Sequence, residues 1–374
     1  MGTSAPAGNR RDLQFLDVLR SIGFAMVVVV HALDINGISH FGVLPQIPPV
    51  VDLFFLISGF VAGYANDDRL RLGQRSPVAA ITARAARLLP LVFLGTLLGA
   101  LPFFIRQALW ADTRHLVSGA ILFIKGCLLI PGSPAAPWLA FNTAAFPFDV
   151  PVWFLFFDML GFLLFLFCLR FLSLSWLFAV TGLLGVGMWW FALAYNSLNP
   201  GAWTPELLPV TPRTLFDFSY GYLLFRLYRP GRWKLAPGWG IAIAGLLLAV
   251  LCAPLPVASP FSGAFQAAVV TFLFPPILIA GVHLSTTPRL NAVARLGARM
   301  SLAVYVMHFP AIVAVNDLLL HRGFPETGSY GRALVEGLAA LLAGCLAAIF
   351  FDEPVQAWLT RWRQAARSRN PVTA

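Results

Sequence analysis

An arginine and a histidine stand eleven residues apart inside the first apolar stretch of the chain, Leu16-Asp-Val-Leu-Arg20-Ser-Ile-Gly-Phe-Ala-Met-Val-Val-Val-Val-His31. A charge inside a membrane span costs about 2.5–3.5 kcal/mol on insertion scales, so such a residue is a functional candidate by default. Eleven helical steps of about 100° return to nearly the same face, and at about 1.5 Å per residue they cover roughly 16 Å. A guanidinium and an imidazole therefore line one side of one helix at two depths. A neutral imidazole can take a proton from an alcohol as that alcohol attacks a carbonyl, which makes His31 the general-base candidate. Asp34, one turn on, can orient the ring and balance its charge, as a third group does in nucleophilic sites. Two plainer readings stay open: His31 as a boundary histidine beside a solvated Asp34, and Arg20 snorkelling to water from about two turns inside its helix.

Further polar residues interrupt later apolar stretches. The second reads Val51-Asp52-Leu53-Phe54-Phe55-Leu56-Ile57-Ser58-Gly59-Phe60. Ser58 and Gly59 suit close helix approach first, and a ligand second. Arg84 and Arg87 are neighbours on one helical face at i, i+3, where the third span opens. A pair of planar guanidinium forks there suits phosphate, although ordinary marking of membrane topology explains it as well. Trp153 with Asp158, Arg213 with Asp217, and the stripe Ser301, Tyr305, His308 at i, i+4, i+7 should all face the protein interior, because lipid offers them no partner. Asp352 and Glu353, at the end of the last span, are expected to pair with basic loops.

The elements that must position these residues are membrane helices. Of 374 residues, 59% are hydrophobic and only 11% charged, far below the roughly 25% of a soluble domain. Windows of about 20 apolar residues fall at about 14–33, 48–65, 87–105, 151–171, 173–193, 212–228, 237–255, 264–284, 300–320 and 331–351. The expected fold is all-α, a polytopic bundle of about ten transmembrane helices with both termini cytoplasmic. An eleventh window, 115–131, is interrupted by Lys125 and followed by Pro131, Pro134 and Pro137. If it does not cross, most of the Lys and Arg residues behind the net charge of +10 fall on one side: Arg10, Arg11, Arg69, Arg170, Arg229, Arg232 and the basic C-terminal tail among them. The positive-inside rule favours that arrangement. Residues 1–374 then form a single membrane domain, with cytoplasmic tails at 1–12 and 363–374 and an extracytoplasmic or re-entrant elaboration at 106–150. The lead-in has no small-residue cleavage site and does not read as a removable signal. Cys127, Cys168, Cys252 and Cys345 are scattered in apolar stretches and read as small core hydrophobes, without metal or disulfide. No Gly-rich phosphate loop, zinc spacing or nucleic-acid signature is present.

Taken in order, these motifs resemble the acyltransferase-3 family of membrane-bound O-acyltransferases. Arg20 and His31 match its Arg, ten residues, His element; Phe54 to Phe60 match its Phe-Phe-x-x-Ser-Gly-Phe; Arg84 and Arg87 match its Arg-x-x-Arg. Trp153-Phe-Leu-Phe-Phe-Asp158 is similar to its Trp-x-Leu-x-x-Glu, with Asp in place of Glu. Ser301, Tyr305 and His308 fit its Ser-Tyr-x-x-Tyr-x-x-His, with Leu302 replacing the first Tyr, and Glu353-Pro354 loosely echoes its Glu-x-Pro ending.

The resemblance implies ten spans and transfer of an acyl group from cytoplasmic acyl-CoA to a hydroxyl on a carbohydrate or small molecule of the cell envelope. It implies a multi-pass protein of the bacterial inner membrane. Its partners would be the lipid bilayer, the acyl donor and the acceptor, with no nucleic acid. Acyl-CoA, acetyl-CoA first, would be a co-substrate rather than a resident cofactor. His31, Arg20 and Asp34 would be catalytic. Arg84, Arg87, Ser58 and Phe55 would meet the donor, and Trp153, Asp158, Ser301, Tyr305 and His308 the acceptor. The competing class is a proton-coupled transporter or exporter of a polar or lipid-linked solute, which buried Arg, His, Asp and Tyr also suit.

Overall fold

A computed structural model describes residues 13–39, 46–109, 113–132, 138–228, 234–253, 259–284, 287–323 and 328–369. The lead-in 1–12 with Arg10 and Arg11, Pro134 and Pro137, Arg229 and Arg232, and 370–374 lie outside the described residues. The described residues form helices and no strand: α1 (Gln14–Ile35), α2 (Pro49–Arg71), α3 (Pro77–Leu109), α4 (Leu116–Cys127), α5 (Val152–Phe167), α6 (Leu174–Ala194), α7 (Leu207–Leu227), α8 (Trp239–Leu251), α9 (Ser262–Ala268), α10 (Phe274–Val282), α11 (Pro288–His321), α12 (Tyr330–Ala347) and α13 (Glu353–Arg369).

Among the described residues eight helical stretches are long and apolar enough to cross a bilayer. Two of the ten expected windows are not among them. Helix α7 has the length but carries Arg213 and Asp217 within its buried face. Helix α8 has 13 residues, about 20 Å against a hydrocarbon core of about 30 Å. Helix α3 has 33 residues and begins ten positions before its expected window, so Arg84 and Arg87 lie on the helix itself, after its first two turns.

The chain divides into two compact units. The first holds residues 1–30, 39–77 and 153–298. Its centre is α2, buried along most of its length, lying against α7. A Cβ on Gly59 would sit 1.9 Å from the carbonyl oxygen of Phe218, and one on Gly221 1.9 Å from that of Leu56. Each helix thus uses a glycine to let the other's backbone in, the close approach that small residues permit in membranes. The same pair of helices buries an ion pair. Arg213 donates from Nε and Nη2 to the two carboxylate oxygens of Asp52, both at 2.7 Å, and from Nη1 to the Pro200 carbonyl at 3.0 Å. Asp217, fully buried, lies beside them.

The second unit holds residues 31–38, 78–152 and 299–374. Helix α4 is about 18 Å long, shorter than a hydrocarbon core of about 30 Å. It runs back along α3: Gly119 packs on Phe103 and Gly126 on Thr96, with Leu122 and Phe123 joining Phe103, Phe148 and Trp138 in one apolar cluster. Leu129, at φ +56°, turns the chain. A π-helical turn, Ala348–Asp352, joins α12 to α13. The extra residue in that turn falls just where the carboxylates of Asp352 and Glu353 meet arginines. The cysteines depart from expectation. Cys168 and Cys252 are exposed, each just past the end of a helix, and Cys127 and Cys345 half-buried.

Candidate active site

Helix α1 is unbroken from Gln14 to Ile35 and carries both Arg20 and His31. Its buried residues, Phe15, Leu16, Leu19, Phe24, Val27, Val28 and Val30, recur at helical spacing and hold one face inward.

In the second unit, His31 meets a second histidine. Its Nδ1 lies 2.8 Å from Nε2 of His308, with the two rings 5.0 Å apart between centres and 22° from parallel. His308 is fully buried, and its Nδ1 bonds the carbonyl oxygen of Tyr305 on the preceding turn of α11. This chain fixes the protons. A carbonyl oxygen only accepts, so Nδ1 of His308 carries hydrogen. In a neutral ring its Nε2 then accepts, and Nδ1 of His31 donates. The lone pair of a neutral His31 therefore lies on Nε2. His31 itself is half-buried.

The ring of Phe309 stands edge-on to His31 at 5.4 Å, and Phe141 packs on Phe309 at 5.2 Å. Tyr305, 5% exposed, donates its hydroxyl to the Pro151 carbonyl at 2.6 Å. That bond ties the stretch before α5 to the helix that carries His308. Two further buried groups brace this end of α1: Asn36 donates to the carboxylate of Glu336 on α12 at 2.5 Å, and Arg332 stands 3.8 Å from Glu336. Asp34 is exposed, and the ring partner of Nδ1 of His31 is a histidine from α11. Ser301 is half-buried on α11, two turns before His308.

In the first unit, Arg20 donates to the hydroxyl of Ser58 at 3.4 Å, and Asp17 stands 3.9 Å away on its own helix. Ser58 is 9% exposed and Phe55 fully buried. The Phe55 ring packs against Phe154 at 4.6 Å and Trp153 at 6.4 Å. Phe24 and Phe54 stack 4.3 Å apart beside them. Trp153 and Asp158 are both buried on α5, as their types in an apolar stretch require.

The Arg84 and Arg87 pair belongs to the second unit. Arg87 forms an ion pair with the buried Asp352, whose other oxygen accepts from Gln356 at 3.2 Å; Gln356 also bonds the Ala86 carbonyl at 3.0 Å. Arg299 pairs with Glu353 through two bonds. Both carboxylates at the end of the last span thus hold arginines, which come from the helices α3 and α11 and not from the loops expected. Arg84 and Arg87 are half-buried, and Arg87 keeps over a third of its side chain exposed beside its carboxylate partner.

The sequence picked out His31 and His308 separately, each as a lone polar residue on its own helix, and their meeting was not legible. Arg213 was matched with Asp217 on the same helix, whereas the carboxylate that grips it comes from α2. Asp149 was missed outright. It precedes Pro151 and Trp153 in a stretch without periodicity, yet it is 1% exposed.

A helical bundle that buries a proton-carrying histidine chain and several ion pairs is a multi-pass membrane protein equipped for chemistry. Residues 13–351 match the acyltransferase domain of the acyltransferase-3 family. The chain belongs to that family and is a membrane acyltransferase. No curated protein and no solved structure matches it.

Proposed function

We propose that the protein moves an acyl group from acyl-CoA, acetyl-CoA first among donors, to a hydroxyl of a carbohydrate or other envelope-associated acceptor. The observation that carries this reading is the chain His31, His308, Tyr305, which puts an unprotonated Nε2 on a half-buried imidazole. In the proposed step the acceptor hydroxyl gives its proton to Nε2 of His31 while its oxygen bonds to the thioester carbon. The C–S bond then breaks, CoA leaves as thiolate, and the proton on His31 neutralises it. An ester and free CoA result. His308 accepts from Nδ1 throughout, so the imidazolium that forms keeps its orientation.

Arg84 and Arg87 are assigned to the donor's phosphates, which suit their planar forks. Arg20, with Ser58 and Phe55 near it, is assigned to the donor's thioester end. Trp153, Asp158 and Tyr305 are assigned to the acceptor. Asp34, exposed beside the base, is left to tune its charge from solvent. The bacterial inner membrane is the proposed location, since envelope acceptors are assembled across it.

Purified protein in liposomes, given radiolabelled acetyl-CoA and a panel of sugar acceptors, should release label from CoA into an ester. His31→Ala should abolish that release and still insert and fold. A variant that transfers at the normal rate would end the base assignment. Solute movement across the liposome with no loss of label from CoA would support the transporter reading instead.

A further inference from the structure

Asp149 sits in the connection between α4 and α5, with neither carboxylate oxygen bonded to any partner and only 1% of the residue exposed. The hydroxyl of Thr96, on α3, is buried and unpartnered too. Both line a narrow cleft of about 200 Å³ whose other walls include Leu122, Gly126, Phe146 and Phe148. A carboxylate left there without water or a counter-charge would be very costly.

A third oxygen lies close by. The point where a Cβ on Gly95 would sit is 2.8 Å from Oδ2 of Asp149 and 2.8 Å from the carbonyl oxygen of Val306 on α11. In a regular helix the Val306 carbonyl would accept from the amide four residues on. That residue is Pro310, which has no N–H to give. Two buried acceptors thus lie beside the same bare glycine, and one donor between them would satisfy both.

We propose that Asp149 is a neutral carboxylic acid in the folded protein, donating its O–H to the Val306 carbonyl that Pro310 leaves open. It is a positioning residue for acyl transfer, and in that respect the inference rests on the function proposed above. Residues 149–151 would then grip α11 twice, through Asp149 on Val306 and through the Pro151 carbonyl on the Tyr305 hydroxyl. Val306 follows Tyr305 and precedes His308 by two residues, so the two grips together set the rotation of α11 that brings His308 to His31. A narrow, mostly apolar cleft favours a proton over a hydrated cation as the partner of this carboxylate. Of the elements packed on Asp149, α3 offers Gly95 and Thr96, α4 offers Leu122 and Gly126, and α11 offers Val306, so among the described residues no other charged side chain lines the cleft. Burial alone holds its carboxyl well above the usual carboxylate range.

Infrared difference spectra of the full-length protein in liposomes, wild type minus Asp149→Asn, test this without any acceptor. A protonated-carboxyl C=O band lost in the variant, at neutral and mildly alkaline pH, is the expected result. Carboxylate bands at neutral pH would overturn it. So would a carboxyl band that converts to carboxylate on adding sodium or potassium chloride, which would make the cleft a cation site. In the transfer assay, Asp149→Asn keeps an N–H donor and should retain most of the rate with no alkaline decline. Asp149→Leu should lose about tenfold, the value of one buried hydrogen bond. Equal rates for Asn and Leu would refute the positioning role. Because the spectra are read without turnover, failure of the acyltransferase reading would leave them standing.

Discussion

Removing the second histidine, rather than the first, isolates what the His31–His308 contact contributes. In His308→Leu the Nδ1–H of His31 loses the acceptor 2.8 Å away. An unsatisfied buried N–H costs about 1–3 kcal/mol. The ring escapes that cost by shifting its proton to Nε2, and then no lone pair faces the acceptor hydroxyl. The reactive tautomer is thereby penalised by the same 1–3 kcal/mol, which is a fall of roughly 5- to 160-fold in rate. His308→Gln places an amide oxygen near the position of the lost Nε2 and should recover most of that fall. His31→Ala removes the base itself and should lose about 10²–10⁴-fold. Initial rates of label release from acetyl-CoA in liposomes, at saturating donor, give the comparison. The loss in His308→Leu should lie in kcat, with KM for acyl-CoA unchanged. A well-folded His308→Leu that works at the wild-type rate, or a His308→Gln no better than Leu, would refute the tautomer argument.

Other perturbations follow from the packing. Replacing Arg213 by Met strands a fully buried Asp52 and should destabilise the protein by about 3–5 kcal/mol in detergent unfolding, while the Asp52→Leu, Arg213→Met double variant should recover most of it. Gly59→Val drives a side chain into the Phe218 carbonyl 1.9 Å from its Cβ, and should reduce the yield of folded protein in size-exclusion profiles, with overpacking costing roughly 1–3 kcal/mol or more. Arg84→Ala should raise KM for acyl-CoA and leave kcat alone. Arg87→Ala should do the same and also lower the unfolding midpoint, because it strands the buried Asp352.

The architecture was legible because lipid imposes it. A chain with 59% hydrophobic residues broken into twenty-residue windows must form helices, since helices satisfy every backbone group within one segment. The elements that resist a simple count are those where composition and length part company. Helix α7 has a span's length with an ion pair inside it, which an averaged hydropathy cannot separate from a surface helix. Helix α4 has a span's composition in 12 residues, and the charge on Lys125 and the prolines that follow were the local signs that it turns back. The early start of α3 was hidden because Arg84 and Arg87 look like a boundary, whereas half-buried arginines with a carboxylate from α13's entry turn are tolerated inside a long helix.

The site was legible as a list of residues and illegible as a set of contacts, for one physical reason. Period and spacing report neighbours on one helix, and the bonds that matter here join different helices: His31 to His308 across 277 positions, Arg213 to Asp52 across 161, and Arg87 to Asp352 across 265. A sequence argument supplied a same-helix partner in the first two cases, offering Asp34 to His31 and Asp217 to Arg213. Lipid makes such guesses plausible, because a polar residue there needs some partner, but it does not say which. Asp149 shows the limit most clearly. It lies in an irregular stretch that composition marks as a solvated loop. Its burial follows from Gly95, whose missing side chain leaves the space, and from Pro310, whose missing N–H leaves the acceptor. Neither of those two residues carries any chemistry of its own, and what each lacks creates the site.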